Sequence, residues 1–344
     1  MPTDQHLACT AHPVPASDEG WLPVGDGHRV HWSAHGNPAG LPVVVLHGGP
    51  GSGSSARHLS FFPLDRCRVV LMDQRGCGQS TPQGGLEANT TAHLVRDVVA
   101  LRRHLGVAAW LVVGGSWGAT LAMAVAQADP AGCLGVLLRA PFLGGADDLD
   151  WFCAGAGRLR PQAHAHFLAL PGLAGAGPAP AAAAVIEAYA QALAQGDVAA
   201  LQRWLHWEAT LEQVQSPPDV AASWPPPERQ AELLARGRIQ THYLRHACFL
   251  APGALLAGLA SLGQRQAAIV QGTLDWVCPP ANAWAVHQAW PHSRLYWVSG
   301  ATHSPFEAAM AEAMKQLVFH FVAHGCFPDG DRCSVLAQSG AASC

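Results

Sequence analysis

Residues 110–127 read WLVVGGSWGATLAMAVAQ: an apolar run, two glycines, a serine, and then a stretch of small side chains. Four consecutive apolar residues closed by glycine, Trp110–Val113, predict a buried strand, and the small residues of 117–128 predict a helix lying close on a sheet. The same alternation continues outward. Pro42–Leu46, Arg68–Met72 and Leu134–Leu138 are further short apolar runs. Between the second and third runs, residues 90–105 carry apolar side chains at 94, 95, 98, 99, 101 and 105, a helical stripe. A β-α-β-α-β order predicts a mostly parallel sheet with helices on both faces, because parallel neighbours need crossover connections that return over the sheet. Trp21–Val24 and His28–Trp32 flank Asp26-Gly27, a hairpin signal ahead of the parallel part.

The pattern breaks near Pro141. Residues 143–258 are rich in Ala, Trp and helix formers, with Pro/Gly joints at 171–180 and 217–227 and no buried strand. Strand signals resume at Ala267–Val270 and Arg294–Val298, each followed by a helical stretch, 281–290 and 305–324. The division expected is a core in two parts, 1–142 and 259–325, a helical cap at 143–258 inserted between them, and a loose tail at 326–344.

Composition narrows the functions. Of 344 residues, 49% are hydrophobic, enough for a large core. The net charge is −4, Lys315 is the single lysine and no basic tract occurs, which argues against a nucleic-acid partner. The longest apolar stretch, Phe249–Leu262, is broken by Pro252, Gly253 and Gly258, so no membrane span is expected. Met1–Ser17 is polar and lacks a basic start followed by an apolar stretch, which predicts a cytoplasmic protein. The ten cysteines contain no C-x-x-C and read as free thiols, several of them in apolar runs. His242/His246 and His320/His324 have helical spacing but no accompanying glutamate and no obvious third ligand, so neither metal nor cofactor is expected.

The chemistry lies at the ends of the strands. Gly114-Gly115-Ser116-Trp117-Gly118 is a G-x-S-x-G pattern placed where a strand runs into a helix, the setting in which a sharp turn lifts a serine hydroxyl above the sheet edge. His47-Gly48-Gly49-Pro50-Gly51 follows another strand directly. Acyl transfer needs two backbone N–H donors for a developing oxyanion, and Gly49 and Trp117, the residue after the serine, are the candidates. An acid and a base should follow in the order Ser, Asp, His. Asp275 lies just beyond the strand Ala267–Val270 and His303 just beyond Arg294–Val298. Cys77 and Cys278 lie nearby in sequence but lack the strand–turn–helix setting and read as packing. Trp204, Trp207, Trp224, Phe142 and Phe152 are candidates to line an apolar pocket.

These residues resemble the proline iminopeptidase (prolyl aminopeptidase) family of α/β-hydrolases over about 20 to 325. The motifs that carry the resemblance are LHGGPG (46–51), MDQRGCGQS (72–80), ANTTAHLVRD (88–97), GGSWGATLA (114–122), LDWF (149–152), WLHWE (204–208), HYLRHACFL (242–250), VCPPANAW (277–284) and SGATHS (299–304). The resemblance implies an α/β-hydrolase fold with a helical cap, a Ser116/Asp275/His303 triad, and release of an N-terminal residue, preferably proline, from small peptides or amides. It also implies acidic cap residues that hold the substrate's free amine. Glu208 matches the first; at the second, where the family usually has Glu, this chain has Gln240, a neutral amide. That departure keeps an alternative open: an esterase or amidase of the same fold, acting on a substrate without a strong ammonium group. Oligomeric state is not legible.

Overall fold

The computed structural model describes residues 15–173, 180–216, 218–221 and 224–328, and the backbone of 333–336. Cys9 and Cys344 lie outside the described residues, as do parts of the two Pro/Gly joints.

Nine strands form one sheet in the order β1-β2-β4-β3-β5-β6-β7-β8-β9. β1 (Asp18–Gly25) and β2 (His28–Gly36) make the expected hairpin, and β2 runs antiparallel to β4 (Cys67–Met72). From β4 onward all pairings are parallel: β3 (Leu41–Leu46), β5 (Trp110–Gly115), β6 (Cys133–Arg139), β7 (Ala267–Gly272) and β8 (Ser293–Val298). Strand parity divides the core. Val44, Leu46, Val70, Met72, Val112 and Leu138 face one layer, with α1 (Thr91–His104) and α2 (Trp117–Ala128) over it. Val43, Val45, Val69, Leu71, Leu111 and Val113 face the other, covered by the turn Ala56–Phe61 and by α10. That last long helix, α10, spans Ala308–His324. Both faces are buried, which is why these strands read as unbroken apolar runs.

Between β6 and β7 the described elements are helical: α3 (Ala146–Cys153), α4 (Pro161–Leu168), α5 (Ala182–Ala194), α6 (Val198–Glu212), α7 (Gln230–Arg245) and α8 (Ala254–Leu259), with short 3₁₀ turns. α8, which a boundary at 258 would place with the cap, lies against α2, where Gln127 Nε2 donates to Leu255 O at 2.7 Å. The tail also differs from a structureless segment. Cys333–Leu336 forms β9, parallel to β8. Four residues among Gly, Ser and Cys carry no legible period; the strand exists because the open edge of β8 offers unpaired backbone groups. α9 (Pro280–Ala289) joins β7 to β8. Among the described residues, no single helix is long and apolar enough to cross a membrane.

One buried cation ties the first half of the sheet together. Arg75 follows β4 and is 2% exposed. Its Nε and Nη2 donate to Asp97 of α1 at 2.7 and 2.9 Å, and further donations reach Val24 O, Ala88 O and Asp26 Oδ2. A buried charge of this kind is tolerable only because each donor is paired.

Candidate functional site

Ser116 stands between β5 and α2 with φ 57° and ψ −125°, an unusual backbone for a residue with a side chain. Its amide donates to Arg139 O at 2.9 Å, which anchors the turn to the next strand. The turn needs its glycines. A Cβ on Gly118 would sit 2.1 Å from Leu46 O, and one on Gly114 would sit 2.1 Å from Gly118 O.

The loop after β3 runs alongside. Gly49 has φ +113°, and a Cβ on Gly48 would lie 3.4 Å from the Ser116 Cβ, so this backbone passes directly against the serine. Gln74 ties the start of this loop to the Trp117 side chain at the head of α2. Its amide N–H donates to His47 Nε2 at 3.0 Å, its side-chain NH₂ donates to His47 O at 2.8 Å, and its Oε1 accepts from Trp117 Nε1 at 2.9 Å. Asp73 secures the far end of the loop, accepting from the amide and hydroxyl of Ser54, both at 2.7 Å.

The acid and the base come from β7 and β8. Asp275 is 1% exposed. Its Oδ1 accepts from the amides of Val277 at 3.0 Å and Cys278 at 2.9 Å, which leaves Oδ2 to accept from His303 Nδ1 at 2.8 Å. That bond assigns the proton to Nδ1 and leaves Nε2 as the basic nitrogen. Ser116 and His303 line the same cavity of about 360 Å³. No hydrogen bond joins them in this arrangement; the Ser116 Oγ contact is with Cys278 Sγ at 3.8 Å. Such bonds commonly tighten only with substrate in place. Burial pushes the Cys278 thiol well above its ordinary value, so it sits beside Ser116 as a neutral group and not as a competing thiolate.

Arg139 is a residue the sequence reading did not single out. It is 6% exposed, its carbonyl holds the Ser116 amide, and its Nη1 donates to His303 O at 2.6 Å. One residue, by its backbone and its side chain, thereby spans the turn of Ser116 and the loop of His303. Burial lowers its pKa, and the Asp275 carboxylate opposes that shift.

Two cap helices close the cavity. α6 carries Glu208 and α7 carries Gln240; Phe142, Leu149 and Phe152 supply an apolar wall. Gln240 Nε2 donates to Glu208 Oε1 at 2.5 Å and to Gly49 O at 3.3 Å, while its Oε1 accepts from Trp204 Nε1 at 3.2 Å. Arg236 Nη2 lies 3.4 Å from Glu208 Oε2. Burial raises the Glu208 pKa, and the neighbouring Arg236 and Gln240 pull it back.

Three aromatic expectations are corrected. Trp207 is fully buried, stacks on Phe167 and donates from Nε1 to Phe152 O at 3.0 Å, so it supports the pocket wall from behind and does not line it. Trp204 is likewise buried and holds Gln240 in place. Trp224 is 53% exposed and away from the cavity lining. Helical spacing cannot tell a wall from the layer behind it, since both face inward on α6.

A family model described as alpha/beta hydrolase fold matches residues 42–309. A probable proline iminopeptidase of Leptolyngbya boryana is 38% identical over 312 residues, 88% of this chain and 94% of the relative. A proline iminopeptidase of Xylella fastidiosa is 39% identical over 303 residues, 86% of this chain and 94% of the relative. Among solved structures, the proline iminopeptidase of Mycobacterium smegmatis superposes with a TM-score of 0.58 at 21% identity, over 90% of this chain and 98% of that one, a likeness of fold. The α/β-hydrolase class thus follows from sheet, elbow and profile together. Within that class, the chain belongs to the proline iminopeptidase family.

Proposed function

We propose that this protein is a serine aminopeptidase that releases an N-terminal residue, preferably proline, from small peptides. The observation that carries the reading is the His303–Asp275 pair opening into the cavity that also holds Ser116, Gly49 and Glu208. Ser116 Oγ attacks the scissile carbonyl carbon as its proton passes to His303 Nε2. The negative charge that forms on the carbonyl oxygen is met by the amides of Gly49 and Trp117. The C–N bond then breaks, His303 returns the proton to the departing amine, and a prolyl ester of Ser116 remains. A water, deprotonated by His303, hydrolyses that ester and frees the acid. Asp275 keeps the imidazole in its working tautomer and stabilises the imidazolium. Glu208 accepts the substrate's ammonium, and Phe142, Leu149 and Phe152 hold the ring. In this reading the helices of 143–258 act as a cap that makes the site an exopeptidase pocket.

The seven described cysteines are free, six of them buried, which suits a reducing compartment and supports action in the cytoplasm. Relatives named as proline iminopeptidases support the peptide substrate class.

A second reading, an esterase or amidase indifferent to an ammonium group, is favoured by the neutral Gln240 amide, which spends its NH₂ on Glu208 and Gly49 O and brings no second negative charge to an amine. Prolyl arylamide and its N-acetyl form separate the two. The aminopeptidase hydrolyses the first and not the second; comparable turnover of both would favour the esterase.

A further inference from the structure

Glu208, the carboxylate proposed to hold the substrate's ammonium, is occupied before any substrate arrives. Arg236 and Gln240 stand one turn apart on α7, so a guanidinium and an amide reach the same acceptor. The amide is neutral. Arg236 is the cation in contact with the Glu208 carboxylate, and Glu212 lines the same cavity as a further carboxylate. An ammonium that binds Glu208 Oε2 must take the place that Arg236 Nη2 holds, in a region where the Arg236 and Glu208 side chains are only 30% and 15% exposed. Two cations held against one partly buried carboxylate repel each other.

The Arg236 contact is the weaker of the two. It runs through one nitrogen at 3.4 Å, and Arg236 Nε is buried with no hydrogen-bond partner. A bidentate pair would be shorter and would use two nitrogens. Arg236 is also a partition. It lines the active-site cavity on one side and, on the other, a cavity of about 320 Å³ bordered by Gly76, Gly78, Gln83 and Glu232. Glu232 lies one helical turn before Arg236 on α7, half-exposed and shared with Arg229. A side chain leaving Glu208 thus finds a second carboxylate at i−4 and open space to reach it.

We propose that Arg236 is a displaceable counter-ion: the substrate's ammonium exchanges with it at Glu208, Arg236 turns toward Glu232, and the exchange sets the selectivity between charged and uncharged N-terminal residues. The inference rests on the aminopeptidase reading of Glu208 and adds a specificity-determining residue to it.

The test compares kcat/KM for prolyl arylamide with that for cyclopentanecarbonyl arylamide, in which carbon replaces the ring nitrogen. Arg236→Met removes the charge at similar length and raises the prolyl-to-carbocyclic ratio about tenfold, with the gain in KM. Arg236→Lys keeps a charge and retains the wild-type ratio. Glu232→Gln, at an exposed position with little bearing on folding, removes the destination and lowers the ratio about threefold. An unchanged ratio in Arg236→Met, or KM values for both substrates that move together, overturns the proposal. Should Arg236→Met fail to fold, an unchanged ratio in Glu232→Gln overturns it alone. The two readings fail separately. A wild type inactive on prolyl arylamide rejects the aminopeptidase assignment, and a gain of prolyl activity in Arg236→Met would then mark Arg236 as a fixed counter-ion and overturn its displacement as well. A wild type active on prolyl arylamide with an indifferent Arg236→Met upholds the aminopeptidase assignment and overturns the counter-ion.

Discussion

In the proposed mechanism Ser116, His303 and Asp275 divide one task among three chemistries, and each has a distinct penalty for removal. Ser116→Ala deletes the attacking oxygen and leaves the oxyanion donors alone. Turnover of prolyl arylamide should fall by at least about 10⁴-fold, measured as kcat with active-site-independent protein quantitation. Residual activity near the wild-type level would mean that another group is the nucleophile. In the same proposal Glu208 acts on binding, and its pH behaviour follows from burial. Because desolvation raises its pKa, the carboxylate takes up a proton at a higher pH than an exposed glutamate would. As pH falls through that raised value, the ammonium loses its charged acceptor, so kcat/KM for prolyl arylamide should fall along that limb. Glu208→Gln should lower kcat/KM by about 10–100-fold at neutral pH, the worth of one charged hydrogen bond, and should erase the Glu208 limb from the pH profile. A limb that survives in the variant belongs to another group.

At the scale of elements, the join of β5 to α2 is the most constrained place in the chain. Gly118 meets Leu46 O and Gly114 meets Gly118 O, so strand, turn and helix share no spare volume. Gly118→Ala should destabilise the fold by ~1–3 kcal/mol through overpacking and should reduce kcat more than a surface change of equal stability cost, because the serine turn moves with it. Paired denaturant titration and kinetics check both; a variant with wild-type kcat would show that the turn is tolerant. The Arg75–Asp97 pair is the second such place, linking the β4 loop, the first hairpin and α1. Asp97→Asn leaves the guanidinium buried without its charge partner and should cost about 3–5 kcal/mol in urea unfolding; a loss below 1 kcal/mol would mean that Asp26 and the carbonyls suffice.

Element types were readable because their physics is local. The runs at 43–46 and 110–113 are apolar on consecutive positions, a signature of strands covered on both faces, and residues 90–105 keep a helical stripe. β9 escaped reading because its stability comes from the β8 edge and not from its own four residues. Trp207 escaped for a related reason: an inward-facing aromatic lies one layer behind the cavity, and layer depth is a property of packing.

Across the whole molecule, the site sits where loops from β3, β5, β7 and β8 meet under α6 and α7, and its underside is buried too. His58 lies beneath it, beside a small cavity that it shares with His47, Gly115 and Arg139. Desolvation, with lesser repulsion from Arg139, lowers its pKa from 6.5 to about 4, against the opposing hydrogen bond to Ser55 O. A histidine whose folded pKa is depressed binds its proton more readily when unfolded, so stability is lost as pH falls from about 6.5 toward about 4. Melting temperature measured across that window should decline with acid, and His58→Gln should flatten the decline. An equal slope in both proteins would place the acid sensitivity elsewhere.

The order of strands and helices, the serine turn, and the ranks of Asp275 and His303 behind their strands were determined by the sequence itself. Hydrophobic period, glycine placement and chain order are written along the polymer and act over a few residues. Only the tertiary structure decided that Arg139 spans Ser116 and His303, that Gln74 ties His47 to the Trp117 indole, and that Arg236 already stands at Glu208. Those contacts join residues that are far apart in the chain. Their existence depends on the distance and burial that packing imposes, which no local pattern encodes.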